Sequence, residues 1–295
     1  MAAKIQIPDE LKQDLPPSKW SKILLATPIV MTVIATMLAG LASSEMTKAQ
    51  YDRSLAAQLQ SKAGDQWGYY QAKKLRSAMS HNSLDLLVAT SDVDPLTADA
   101  LAGVDAVTAE ALVKNNLPAA TLAKFDDSVN AALGAVVGSK PESEVLHFIA
   151  KVKDATLADS LIAAKGAADS FDNATKTVNI TVDRLDETLM SGDKRTFRDF
   201  SAARLRYAAE RYDTEARLNQ AVANIYELQV RKGNISAEHH HKRSGKFFFG
   251  MLAAQLAVIV STFSIAAQKK SFLWALAAAA GMGAVSFAAY VYFYV

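Results

Sequence analysis

Three uncharged runs, at residues 23–44, 247–268 and 271–295, constrain this chain more than anything else in it. Each is long enough to cross the hydrocarbon core of a bilayer as one helix, which takes about 20 residues. In lipid, a single apolar run can satisfy its backbone hydrogen bonds only as a helix. The chain therefore reads as an integral membrane protein with transmembrane helices at 22–44, 247–268 and 271–295. A polar leader, 1–21, precedes the first run. That leader and the length of the run favour a retained anchor over a cleaved signal peptide.

The stretch between the first two spans is polar, and its charge is unevenly spread. Residues 84–190 carry 17 Asp and Glu against 8 Lys and Arg, while the rest of the chain carries 13 against 24. An acidic centre thus lies between basic segments that flank the membrane. Basic side chains beside a bilayer are drawn to anionic head groups, so the lipid bilayer is the first partner expected. No nucleic-acid motif accompanies those basic residues, and no nucleic acid is expected as a partner. The chain has no cysteine. That excludes disulfides, thiolate zinc sites and a cysteine nucleophile.

The periodicity is helical throughout. In the leader, Pro8, Pro16 and Pro17 oppose one continuous helix, and Lys19, Trp20 and Lys22 form an interfacial anchor. Ala49, Ala56, Ala63 and Tyr70 recur every seven residues, with Leu55, Leu59, Trp67 and Tyr69 on or near that stripe. This predicts a long helix at 45–83. Its partner is predicted at 196–232, where Leu205, Tyr212, Asn219 and Tyr226 alternate with Ala209, Ala216, Ala223 and Val230 at spacings of four and three. That is a heptad seam, and alanine on one side of it allows close approach. Gly233 and Asn234 suit a C-terminal cap, leaving 233–246 as a linker to the second span.

Turn signals at residues 94–95, 115–118 and 138–141 divide the section 84–195. Pro141 reads as the start of a helix, and Val145, Phe148, Ile149, Val152, Leu157, Leu161 and Ile162 fall at helical spacing. Strand alternation is absent. The expected fold is all-α: three transmembrane helices, an antiparallel two-helix coiled-coil stalk and a small distal head of short helices. The last two spans are joined by Lys269 and Lys270 alone and must form a hairpin. Ala275, Ala279 and Gly283, or Ala277 and Gly281, supply small residues for its packing. Trp274 marks one interface, and Tyr290, Tyr292, Phe293 and Tyr294 the other. Lys12, Lys19, Lys22, Lys269 and Lys270 favour a cytoplasmic leader and turn. Lys48, Arg53, Arg231, Lys232, Lys242, Arg243 and Lys246 pull the other way. The expectation is a multi-pass bacterial inner-membrane protein with a periplasmic head.

Candidate chemistry is sparse. His239, His240 and His241 are candidate metal or haem ligands, although consecutive helical residues point about 100° apart and cannot meet one ion from one helix. A polar collar at the interface is the simpler reading. His81 and His147 stand alone, with His147 expected in a packed apolar pattern. Trp67, Tyr69 and Tyr70 read as anchors between packed helices. With Leu205, Ala209, Tyr212, Ala216, Ala223 and Tyr226 they form the expected interaction set. Asp126 and Asp127, or Asp186 and Glu187, diverge as sequence neighbours and make poor acid–base pairs. No GxSxG, HExxH, phosphate loop or dinucleotide fingerprint occurs. None of the three uncharged runs holds an acidic or basic residue, which argues against transport. Neither an enzyme nor a cofactor is expected.

The run Asp65-Gln66-Trp67-Gly68-Tyr69-Tyr70-Gln71-Ala72-Lys73, following Ser43-Ser44-Glu45, resembles a bacterial membrane family known as domain of unknown function 4337. Glu210-Arg211-Tyr212-Asp213 and Glu238-His239-His240 resemble later segments of that family. The resemblance covers about residues 21–83 and 200–295, and none is recognised for 84–195. It implies a three-span helical membrane protein and no activity. Together these features predict a scaffold or accessory subunit that self-assembles or joins a larger membrane complex. A membrane sensor, or a metal- or haem-binding subunit using His239–His241, is the alternative.

Overall fold

The computed structural model describes residues 19–266 and 272–294, and among these it is helical, with no strand. Among the described residues seven α-helices occur in order: α1 Lys19–Thr90, α2 Ala106–Lys114, α3 Asp127–Val137, α4 Glu142–Lys151, α5 Asp154–Met190, α6 Lys194–Ala266 and α7 Phe272–Tyr294. A 3₁₀ turn, Ala98–Leu101, precedes α2. Helices α1, α6 and α7 each contain a stretch long and apolar enough to cross a membrane. The leader and the Lys269-Lys270 turn lie outside the described residues. The chain divides into two compact units, one of residues 1–53 with 236–295 and one of residues 54–235.

In the first unit, α1 buries Thr27, Met31, Ala35, Leu38, Ala42, Glu45 and Ala49, a stripe advancing by three or four residues. These face α6, which runs antiparallel: Ser244 Oγ donates to the Ala42 carbonyl at 2.7 Å, and Ser236 Oγ to Asp52 Oδ2 at 2.6 Å. Helix α7 buries Ala277, Gly281, Ala284 and Val291. Gly281 lets α7 close on α1, since a Cβ there would collide with the Met31 side chain. At Gly250 a Cβ would stand 3.4 Å from Leu38 and 3.7 Å from Phe287, so the three helices meet there.

The second unit is built on α6. One stripe of it, Ala209, Ala216, Ala223 and Val230, is buried, as the heptad spacing predicts. It pairs antiparallel with α1: Ser77 Oγ donates to the Ala209 carbonyl at 3.0 Å, and Gln66 Nε2 to Asn219 Oδ1 at 2.8 Å. A polar pair inside a seam fixes its register, because a slip would leave both amides unpaired.

A second stripe of α6, with Ala203, Tyr207, Leu218, Val222, Ile225 and Leu228, is also buried, and here the structure corrects the expectation. Section 84–195 is not only short helices. Helix α5 is one 37-residue helix that runs antiparallel to α6. Tyr207 Oη donates to Asn179 Oδ1 at 3.0 Å, and Lys232 approaches Asp154 to 3.0 Å. Ala63 of α1, Ala164 of α5 and Val222 of α6 share one core. The expected two-helix pair is thus three helices side by side. The small distal head is replaced by elements lying along α6. The α3–α4 hairpin packs on Ile225 and Leu228, while α2 and the 3₁₀ turn pack on Phe200, Ala203 and Tyr207.

The expected cap at Gly233-Asn234 is overturned as well, because α6 continues from Lys194 to Ala266. Glycine costs a helix interior about 1 kcal/mol. Packing of Ile235 on the α3–α4 core and burial of Ala237 offset that cost. The turn at 115–118 is present, with Asn115 left-handed at φ 53° closing α2. Pro141 stands at the N-cap of α4, where its ring leaves no helical bond unmade.

Candidate functional site

Two groups of charged side chains are drawn inward. The first lies where the uncharged run of α1 ends and that of α6 begins. Glu45 occupies the α1 stripe between Ala42 and Ala49 and is 5% exposed. An acid at that depth needs partners. His240 Nδ1 lies 2.6 Å from Glu45 Oε2 and donates to it, Arg243 Nη1 lies 3.6 Å away, and Lys48 Nζ reaches Oε1 at 3.0 Å. The Arg243 guanidinium also stands 5.9 Å from the Tyr292 ring of α7. The carboxylate therefore ties α1 to α6, and Arg243 carries the contact on to α7.

The second group lies in the three-helix unit. Glu215 of α6, with its side chain 4% exposed, pairs with Lys73 of α1 and stands 3.7 Å from Arg211. Asp172 of α5 shares an open hollow of about 310 Å³ with them. Burial, then the Glu215 charge, pushes the Asp172 carboxyl above its ordinary value. Tyr212 is ringed by cations, with Lys73 at 5.4 Å, Arg76 at 5.8 Å and Arg211 at 4.3 Å from its ring centre. Nearby, burial pushes the Tyr207 phenol up to about 12.

The histidine triplet does not converge. His239 and His241 are exposed and His240 turns inward to Glu45, and among the described residues no three His, Asp or Glu side chains gather to hold a metal ion. His147 is exposed, contrary to its expected packing. Trp67 and Tyr70 are half-buried and meet edge to face at 5.4 Å, while Tyr69 points out at 60% exposure. Leu205 and Tyr212 are half-buried, and Ala209, Ala216, Ala223 and Tyr226 are buried. In α7, Gly281 is buried and Ala275, Ala279 and Gly283 are exposed. Glu45 and Arg243 were not recognised as site residues from the sequence. The signal was present, since Glu45 falls in register with the stripe that Ala49, Ala56 and Ala63 define.

These carboxyls set an acid profile. At the α2 N-terminus, the Thr108 backbone N–H, then its hydroxyl, holds the Asp105 carboxyl below its ordinary value. The Ser128 hydroxyl and backbone N–H do the same for Asp126 at α3. A lowered carboxyl stabilises the fold above its unfolded value and loses that contribution as pH falls through its folded value. Asp172 has the opposite sign: its raised carboxyl destabilises when ionised and is relieved as pH falls through its folded value. Melting of the detergent-solubilised chain should therefore improve slightly on mild acidification and fall below about pH 4. Asp172→Asn should raise the neutral-pH melting point and abolish the acid gain. A lower melting point would show that Asp172 is a net stabilising partner of Lys73.

Residues 24–117 match the family model described as Domain of unknown function (DUF4337), in agreement with the resemblance carried by the run at Trp67. The match includes 84–117, for which the sequence suggested no counterpart, and stops short of 200–295. No curated protein and no solved structure matches the chain.

Proposed function

We propose that this chain is a non-enzymatic membrane-anchored scaffold or accessory subunit, whose helical unit at 54–235 assembles with copies of itself or with a larger membrane complex. The observation that carries this reading is on the outer side of α1. Leu75, Met79 and Leu86 are 62%, 59% and 65% exposed, and Tyr69 is 60% exposed. Their spacings of four and seven put the three aliphatic side chains along one helix face. The chain covers the opposite face of α1 with its own helices and leaves this one open. Large aliphatic side chains exposed together along one face of a polar unit mark an interaction surface, here with Asn82 as a polar residue among them. The alternating seam of α1 with α6 and α5 suits a supercoiled bundle that presents such a face along its length.

The groups at Glu45 and Glu215 are read as fasteners rather than reactive centres, since each buried carboxylate is paired with a cation of a neighbouring helix. The leader and the Lys269-Lys270 turn are placed in the cytoplasm of a bacterium, with 54–235 in the periplasm. Protease treatment of spheroplasts tests this, because cleavage within 84–126 in intact spheroplasts is expected and full protection reverses the orientation. Extraction in mild detergent followed by sizing tests the assembly itself. A defined particle of more than one polypeptide is expected, and a lone chain contradicts the proposal.

A further inference from the structure

A groove runs between α1 and α6 in the first unit, and no residue of α7 lines it. Thr32, Ala35, Thr36 and Ala39 form its α1 side, Gln255 and Ile259 stand on its α6 side, and it holds about 500 Å³. Its existence follows from the sequence: α1 presents only small side chains there, so the helices leave a channel between their outer edges.

Gln255 is the feature that needs an explanation. It lies eight residues after Phe247, about 12 Å into the span at 1.5 Å per residue. Its side chain is exposed, and among the described residues it has no hydrogen-bond partner. Thr32 and Thr36 donate their hydroxyls to carbonyls of their own helix, at 2.8 and 2.9 Å, which leaves their oxygens free to accept. Lipid tails offer an amide neither donor nor acceptor, so an unpaired carboxamide at this depth is costly. Small residues that allow close approach, with a polar side chain that bonds across, are what helices in a membrane use to associate.

We propose that this groove is the membrane interface between two copies of this chain, with the Gln255 amides hydrogen-bonded to each other at its centre. The inference rests on the self-assembly reading and adds to it a second surface, within the membrane-spanning part. Two copies inserted in the same direction are related by a two-fold axis along the membrane normal, and rotation about that axis preserves depth. Gln255 then meets Gln255 at the same level. Each amide has both a donor and an acceptor, so the pair satisfies itself. The groove accepts the outer edge of the second copy beside Ala39 and Thr36. An acyl chain would fill the same volume but leave the amide unpaired.

The chain has no cysteine, so single cysteines report cleanly. Thr36→Cys or Ile259→Cys, oxidised in native membranes, should give a disulfide-linked dimer. Met282→Cys on the exposed face of α7 should not. Adding Gln255→Leu to Thr36→Cys should lower the dimer yield about three- to tenfold, the range of one interhelical hydrogen bond. Gln255→Asn should retain it. Cross-linking that is unchanged by Gln255→Leu, or equally strong at Met282→Cys, overturns the interface. Sizing in mild detergent separates the two ideas. An assembly unaffected by Gln255→Leu removes this groove and leaves self-assembly standing. A native chain that is monomeric removes both, as does a monomer retaining a phospholipid in the groove.

Discussion

Glu45→Ala unfastens α1 from α6 in the first unit at a cost of about 3 kcal/mol, the lower end for removing one partner of a buried ion pair. The loss exceeds that of an ordinary surface bridge because the partners stay behind. Arg243 has a side chain only 16% exposed and His240 one 22% exposed. With the carboxylate gone, Arg243 keeps its burial and loses its counter-charge, and the Tyr292 ring at 5.9 Å does not replace it. The effect should be local. Backbone amides at 236–247 should exchange about a hundredfold faster in detergent or nanodiscs, since about 1.4 kcal/mol is a factor of ten. The α3–α4 hairpin should exchange as before. Glu45→Gln should cost less, because an amide still accepts from His240. Unchanged exchange at 236–247 would mean that the cluster is solvated and carries no load.

Glu215→Ala is the corresponding expectation for the three-helix unit, again about 3 kcal/mol. For a unit of this size that lowers the melting point by roughly 6–12 °C. Lys73 and Arg211 have side chains 26% and 16% exposed, and both lose their nearest carboxylate. A distinctive signature accompanies the loss. The Glu215 charge helps to hold the Asp172 carboxyl up, after burial. Removing it lets Asp172 ionise more readily and serve as the remaining partner of Lys73. The variant should therefore lose the small gain on mild acidification that the native chain shows. A variant that melts lower but keeps the acid gain would separate Asp172 from Glu215.

The parts of this fold legible in the sequence were the long uncharged runs and the stripes that repeat alanine at a fixed spacing. The long apolar helices, the buried stripe of α1 and the burial of Ala209, Ala216 and Ala223 were legible, because alanine and leucine at a fixed spacing leave a signal. Helix α5 was missed past Ile162 although Leu157, Ala164, Phe171 and Val178 recur every seven residues on its buried face. Its buried face includes Ser160 and Thr175, and Thr175 bonds back to the Phe171 carbonyl at 3.0 Å. Such positions look polar in a sequence. The second seam of α6 is itself apolar, and it went unread because it lies beside the first on the same helix, where the alanine repeat already accounted for a buried face.

Gly233-Asn234 misled because local propensity argued for a cap while packing on both sides of the pair argued for continuation. The site was less legible than the fold. Three adjacent histidines drew attention by composition, yet only His240 faces inward. The residue that orders the cluster is Glu45, a charge at a seam position. Gln255 carries the same lesson inside a span, since a lone polar side chain among apolar ones is conspicuous only once its missing partner is noticed.

The central claim is that this chain works by assembling. The most direct measurement is the protein mass of the particle extracted in mild detergent, by light scattering that subtracts the bound detergent. The account predicts a whole-number multiple of 31.7 kDa greater than one, or 31.7 kDa plus a fixed stoichiometric partner. A homogeneous particle of 31.7 kDa, with nothing co-purifying across detergents and in nanodiscs, would contradict it.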